Sequence, residues 1–473
     1  MKKHYLCALL ILLLMTTLDV GSSVAAANDA PANHEVKLLF SDLQDITNTW
    51  GHIHFGATPL QKLRDCENPG FELSFCQVRN DGAWEVYGLA FKKGPAIKDQ
   101  VKEVNTWQIV HATTRDGSKF ENVETVYASE PGPWTFNHAM AYNPEAGEFM
   151  LLKLKMDTFG FRYTAFFSPD GRHWKEHSKN PLFYDGDAIS LFWSPRIHRF
   201  ICISKSLQPV TAPKHLPDHG GKNRRVLTIR SSSEGRQWEP SASMEDVWNR
   251  VGRWKPLPDE LLTLPDASDP PDLEFYSGNG FWYQDRGYMM VLNYAASPLL
   301  PHKHGHQMDT EWWAGRDGLH WERPARDVNA SGMEVSRITH NPMIIDEMIL
   351  FHYGKRLLGM KQDRITYVGA RANAEFSTLR FPMTQADVLL NAAVPSPDRA
   401  FATEQGYIMV SVLDERGVVV PGFEEDKCLI QRADQTALPL VWNGKSAREL
   451  AGQTIRLHFR LRSANIYAVT TKR

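Results

Sequence analysis

One short pattern recurs four times and limits what this chain can become. Residues 114–120, 168–174, 232–238 and 315–321 each carry an acidic residue followed by glycine: Asp116-Gly117, Asp170-Gly171, Glu234-Gly235 and Asp317-Gly318. An aromatic side chain stands three residues beyond each glycine, as Phe120, Trp174, Trp238 and Trp321. Each copy follows a strand-like run (107–112, 162–167, 225–230, 309–314) and precedes another. Asp-Gly suits a tight β-hairpin, because glycine accepts positive φ and the acidic side chain bonds its own backbone. A Ser or Thr hydroxyl at the start of the pattern can cap the same turn, and the aromatic residue is expected to pack back on the neighbouring sheet. A four-stranded blade needs about 40 to 50 residues. The spacings between the four glycines exceed that, so the excess is assigned to loops. A degenerate fifth copy at 371–376, behind a run at 364–369, brings the expected blades to five.

The pattern changes beyond residue 385. Runs at 406–414, 455–461 and 466–469 alternate apolar and polar residues and are separated by turns, which reads as an antiparallel sandwich. The expected fold is all-β: a five-bladed β-propeller over 35–385, followed by a small antiparallel β-sandwich over 386–473. The first 27 residues read as a signal peptide, with basic Lys2 and Lys3, an apolar stretch at 6–15 and small residues at 24–27. That stretch is too short to span a bilayer. The protein is therefore expected to be exported to the periplasm or beyond, without a membrane anchor. A formal net charge of −2 provides no basic field for nucleic acid. Cys66, Cys76, Cys202 and Cys428 form no paired zinc motif; Cys66 and Cys76 are read as either a disulfide or two thiols. No cofactor or metal is expected, and the oligomeric state is left open.

The four repeats resemble those of exported glycosyl hydrolase-like five-bladed propeller proteins. So does the tail, with residues 410–417, Pro421-Gly422-Phe423, Trp442, 450–457 and Tyr467. More distantly, the chain is similar to the arabinanase, xylosidase and invertase superfamily. The resemblance implies a carbohydrate substrate, but it transfers no catalytic residue, because the invertase signatures are absent. Sialidase Asp-boxes carry one more residue between Asp and Gly than these copies do.

In a propeller, the innermost strands converge on an axis and their starts line a funnel. Five stretches are expected to open inner strands: 81–87, 134–138, 185–190, 269–276 and 334–340. Glycoside hydrolysis needs a protonated carboxyl group and a second carboxylate across the bond to be cleaved. Asp272 and Glu274, two apart, share one face of a strand, and Asp187 and Glu85 come from other blades. Glu274 is read as the acid, Asp187 as the base and Asp272 as a modulator, with Glu85 in reserve. Asn137, His138, Glu334, Arg337 and His340 are read as substrate-binding, and Trp134, Trp193 and Tyr276 as stacking platforms. The alternatives are a carbohydrate-binding propeller without catalysis and a protein-interaction propeller. The alternating His302, His304 and His306 raise the weaker prospect of a metal site.

Overall fold

In the computed structural model, each of the four acidic-glycine segments turns the chain from the third strand of a blade towards its outer edge. The structure describes residues 35–93, 104–130, 132–133, 137–157, 160–209, 223–240, 261–270, 273–295, 306–326, 330, 338–395 and 405–472. The expected leader lies outside them.

Blade one consists of Glu72–Val78, Trp84–Lys93, Val104–Thr114 and Glu121–Ala128. Blade two consists of His138–Asn143, Glu148–Asp157, Gly160–Ser168 and Lys175–Glu176. Blade three consists of Ile189–Ser194, Arg199–Pro209, Asn223–Ser232 and Leu261–Thr263, and blade four of Leu273–Tyr283, Arg286–Ala295 and His306–Gly315. Blade five takes Met343–Ile345, Met348–Tyr353 and Arg356–Lys361 from late in the chain and its outer strand, Gln61–Asp65, from the beginning. The first-named strands of blades five, one, two, three and four touch in that order around the axis. An apolar core fills each of the five blade interfaces.

The turns have the expected chemistry. Gly117, Gly171, Gly235 and Gly318 take φ of 71°, 72°, 76° and 85°. The hydroxyls of Thr114 and Ser232 accept the N–H of Gly117 and Gly235 at 3.0 and 2.8 Å. The carboxylates of Asp116, Asp170 and Asp317 each accept two backbone N–H groups. The indoles of Trp174, Trp238 and Trp321 donate to the carbonyl of their own turn glycine at 2.8, 3.0 and 3.0 Å.

Each turn also presses on the preceding blade. A Cβ at Gly171 would lie 2.4 Å from the Tyr87 hydroxyl of blade one, and one at Gly235 would lie 2.5 Å from Met150 Sδ of blade two. One at Gly318 would lie 3.2 Å from the Phe192 ring of blade three, and one at Gly117 would lie 3.2 Å from the Met343 methyl of blade five. Four turns serve five blades because blade five has no link from its third strand to its outer one. The fifth copy expected at 371–376 is accordingly not a turn: it runs within the strand Thr366–Thr378.

Closure between blades five and one relies on a side chain as well. The Asn341 amide accepts the Cys76 N–H at 2.9 Å and donates to the Cys76 carbonyl at 2.8 Å, as a neighbouring strand would. Cys66 and Cys76 are separate thiols.

The C-terminal strands form the seven-stranded antiparallel path of a ten-stranded sheet, which counts Lys37–Leu39 and Ile46–Ala57 among the strands off that path. Val410 and Leu390 lie on strands well separated along that path, yet they share one core around the fully buried Trp442. The path therefore folds its two arms over a common interior. Among the described residues, no helix is long and apolar enough to cross a membrane.

Gly171→Ala forces a side chain into a left-handed backbone and against Tyr87. The expected loss is about 2 kcal/mol or more, read from the urea midpoint. Gly82→Ala, at a positive-φ turn with open space around it, isolates the backbone part and should cost less.

Candidate functional site

The inner strands run the same way around the ring, so their N-terminal ends gather at one mouth. Blade three brings Asp187 there on a tightly held segment. The neighbouring Asp185 is nearly buried and bonds Arg230 at 3.3 Å, and the Tyr163 hydroxyl donates to the Gly186 carbonyl. Gly186 is required for close approach: a Cβ there would lie 1.5 Å from the Lys205 carbonyl oxygen. That contact sets Asp187 beside Lys205, and the two form an ion pair. Burial pushes the Lys205 ammonium below its ordinary pKa, partly offset by Asp187.

Blade four adds Glu274, which is fully buried. Arg225, from the third strand of blade three and 2 % exposed, donates to it at 2.7 Å through Nη1 and at 3.4 Å through its backbone N–H. Tyr276 stacks on Tyr294 with centroids 4.6 Å apart, and the Lys205 ammonium stands 4.3 Å from its centroid. Asp187, Lys205, Arg225, Glu274, Tyr276 and Tyr294 thus form one cluster at the seam of blades three and four.

On the other side of the mouth, blades five and one enclose a hollow of about 740 Å³ lined by Glu72, Phe91, His352 and Tyr353 among others. Phe91 extends it towards blade two, with its centroid 6.2 Å from the His138 ring and 5.1 Å from the Lys153 ammonium. Asn137 and His138 stand at the mouth, as expected, and are buried. The Asn137 carbonyl accepts from Leu154 N–H at 2.9 Å and from Lys153 at 3.4 Å.

The structure brings Asp187, Glu274 and Tyr276 together but separates other expected residues. Glu85 lies on the second strand of blade one, at the far end of the axis, because the inner strand is Glu72–Val78. There it accepts from Gln77 at 2.9 Å and faces His111 at 3.5 Å. Trp193 is the penultimate residue of its inner strand and also lies at the far end, packed edge-on to Phe200.

His340 is sealed between blades five and one. Its Nδ1 donates to the Asn341 carbonyl at 2.7 Å, and its Nε2 accepts the His352 N–H at 3.2 Å. This arrangement suits a neutral structural imidazole, which burial favours. Trp134, Asp272, Glu334 and Arg337 lie outside the described residues. So do His302, His304 and the side chain of His306. Among the described residues, no cluster suits a metal ion.

Lys205, Arg225, Glu72, Phe91 and Tyr353 were not anticipated. Lys205 left a trace in the sequence, being a lone lysine within an apolar strand-like run.

No family model matches the chain, and no curated protein matches it. Among solved structures, it is similar to a glycosyl hydrolase from Bacteroides ovatus (11 % identity, 64 % of this chain and 86 % of that one, TM-score 0.40). It is also similar to a β-1,2-mannobiose phosphorylase from Listeria innocua (11 %, 70 % and 98 %, 0.36). A third is a family 117 glycoside hydrolase from Zobellia galactanivorans (11 %, 65 % and 90 %, 0.33). At these identities, any functional reading rests on this chain's own residues.

Two outcomes follow for stability. Removing one partner of a buried ion pair strands the other, so Arg225→Met should cost about 3–5 kcal/mol, and Arg225→Met with Glu274→Leu should recover much of it. Chemical denaturation of the two variants measures the difference. Burial also lowers His352 to about 4, against about 6.5 in an unfolded chain. Above about pH 6.5 both states are neutral and stability is unaffected. Below it the unfolded chain takes up the proton first, so stability falls until about pH 4, by up to about 3 kcal/mol. Urea midpoints across that range should slope downward, and less steeply in His352→Gln.

Proposed function

We propose that the mouth binds a carbohydrate and that the protein is an exported glycan-acting enzyme of the glycoside hydrolase type. The observation that carries this reading is the pairing of an open, partly aromatic hollow with a partly accessible carboxylate, Asp187, at the same end of one axis. Pockets with a few converging polar groups on an otherwise apolar wall are where small ligands bind. Phe91 and Tyr353 offer ring faces to a sugar, and the polar groups around them offer partners for its hydroxyls.

The role of Glu274 changes in this reading. A carboxylate that accepts from a buried guanidinium has no proton to give, so Glu274 serves to hold Arg225 beside Tyr276. Asp187 is the carboxylate that acts on the substrate. Candidates for the acid, among the described residues, are Glu72 on blade one and Asp309 on blade four. Asp309 accepts from Asn293 at 3.0 Å, and burial raises its pKa. A binding module without catalysis is the second reading. It is favoured by the ion pairs that engage both Asp187 and Glu274.

The test is turnover of a glycan panel by the full chain. Asp187→Asn should lower kcat by about a hundredfold or more, while Glu85→Gln, at the opposite end, should leave it unchanged. Full activity in Asp187→Asn would overturn the assignment. Glycan binding without turnover in the unaltered protein would establish the second reading.

A further inference from the structure

The far end of the axis has its own cavity. It measures about 270 Å³ and is lined by residues from four inner strands together with Pro144, Pro195, Thr339 and Asn341. The strands place chemically related residues there at one register. Gln77, Tyr142, Trp193 and Trp282 are each the penultimate residue of the inner strand of blades one, two, three and four. Among the described residues lining this cavity, none carries a formal charge. The mouth, by contrast, carries Glu72, Asp187 and Lys205.

The polar atoms that remain are uncharged donors and acceptors: the buried Trp193 indole N–H has no partner among the described residues. Gln77 spends one amide N–H on Glu85 and Asn279 spends one of its own on the His340 carbonyl at 3.1 Å. Their amide oxygens have no other hydrogen bond among the described residues. Trp282 is held in place by its indole N–H, which donates to the Gln284 carbonyl at 2.8 Å, leaving the ring as a fixed apolar wall. Aromatic walls with uncharged donors and acceptors suit a ligand that has C–H faces and several hydroxyl groups. The volume falls just below the range of about 300–1,000 Å³ typical of ligand pockets, so it fits one ring and not a chain.

We propose that this cavity is a second binding site, for a single neutral sugar ring, separate from the mouth. It does not depend on the catalytic reading, since none of its residues belongs to the mouth cluster.

The test titrates the full-length protein with methyl β-glucoside and methyl α-mannoside, using glucuronate as a charged ring of similar size. Isothermal calorimetry and tryptophan fluorescence give the readouts. At least one neutral glycoside should bind in the low-millimolar range, and glucuronate about tenfold or more weaker. Trp282→Ala and Gln77→Met should each weaken the neutral probe about tenfold, whereas Asp187→Asn should leave its affinity unchanged. Tyr142→Phe, which keeps the ring, should keep most of the affinity and guards against a variant that merely misfolds. The proposal fails if neither neutral probe binds, if Trp282→Ala and Gln77→Met bind as the unaltered protein does, or if Asp187→Asn abolishes the signal.

Discussion

The architecture depends on the turn glycines lying flush against the preceding blade. A propeller has no central core. Its stability comes from blade interfaces, and these exist only if each blade can approach its neighbour. At Gly171 and Gly235 that approach leaves no room for a β-carbon. The adjoining Trp174 and Trp238 then bury their rings in the cores shared with blades one and two. One local motif therefore turns the chain within a blade and also spaces the blades around the ring.

The two ends of the axis differ in chemistry for a reason rooted in strand direction. Where inner strands begin, the chain arrives from loops and can present ionisable residues such as Asp187. The second and third strands return polar groups such as Lys205 and Arg225 to the same level. Where inner strands finish, they turn back through short hairpins, and the penultimate positions carry rings and amides. Burial amplifies the contrast, because a charge away from water must be paired. Glu274 has Arg225 and Asp187 has Lys205, whereas Tyr142 and Trp282 need no such partner.

The sequence was most legible where the determinants are local. Asp116-Gly117 and its three counterparts announced hairpins, and hairpins separated by alternating runs announced blades. Asp187, Glu274 and Tyr276 could be placed at one end of the axis because each sits near the start of a strand that follows an identifiable outer strand. Blade one defeated the same rule. Its neighbour's outer strand is Gln61–Asp65, paired with Arg356–Lys361 by a contact spanning most of the chain, so Trp84–Lys93 looked like an innermost strand when Glu72–Val78 is. Arg225 was hidden for a similar reason: its partner Glu274 is 49 residues away. The strand Thr366–Thr378 looked like a fifth repeat because a degenerate turn and a continuous strand differ in hydrogen bonding more than in composition.

The borrowed outer strand of blade five also bears on how the molecule is made. Gln61–Asp65 leaves the ribosome early, but its partner emerges only after the other four blades. Throughout that interval it is a β-edge with nothing to pair with, the kind of edge that invites self-association. Its residues answer that hazard: all five are solvent-exposed even in the finished ring, and three are Lys62, Arg64 and Asp65. Three charges on so short a segment keep the waiting edge hydrated until the circle can be completed.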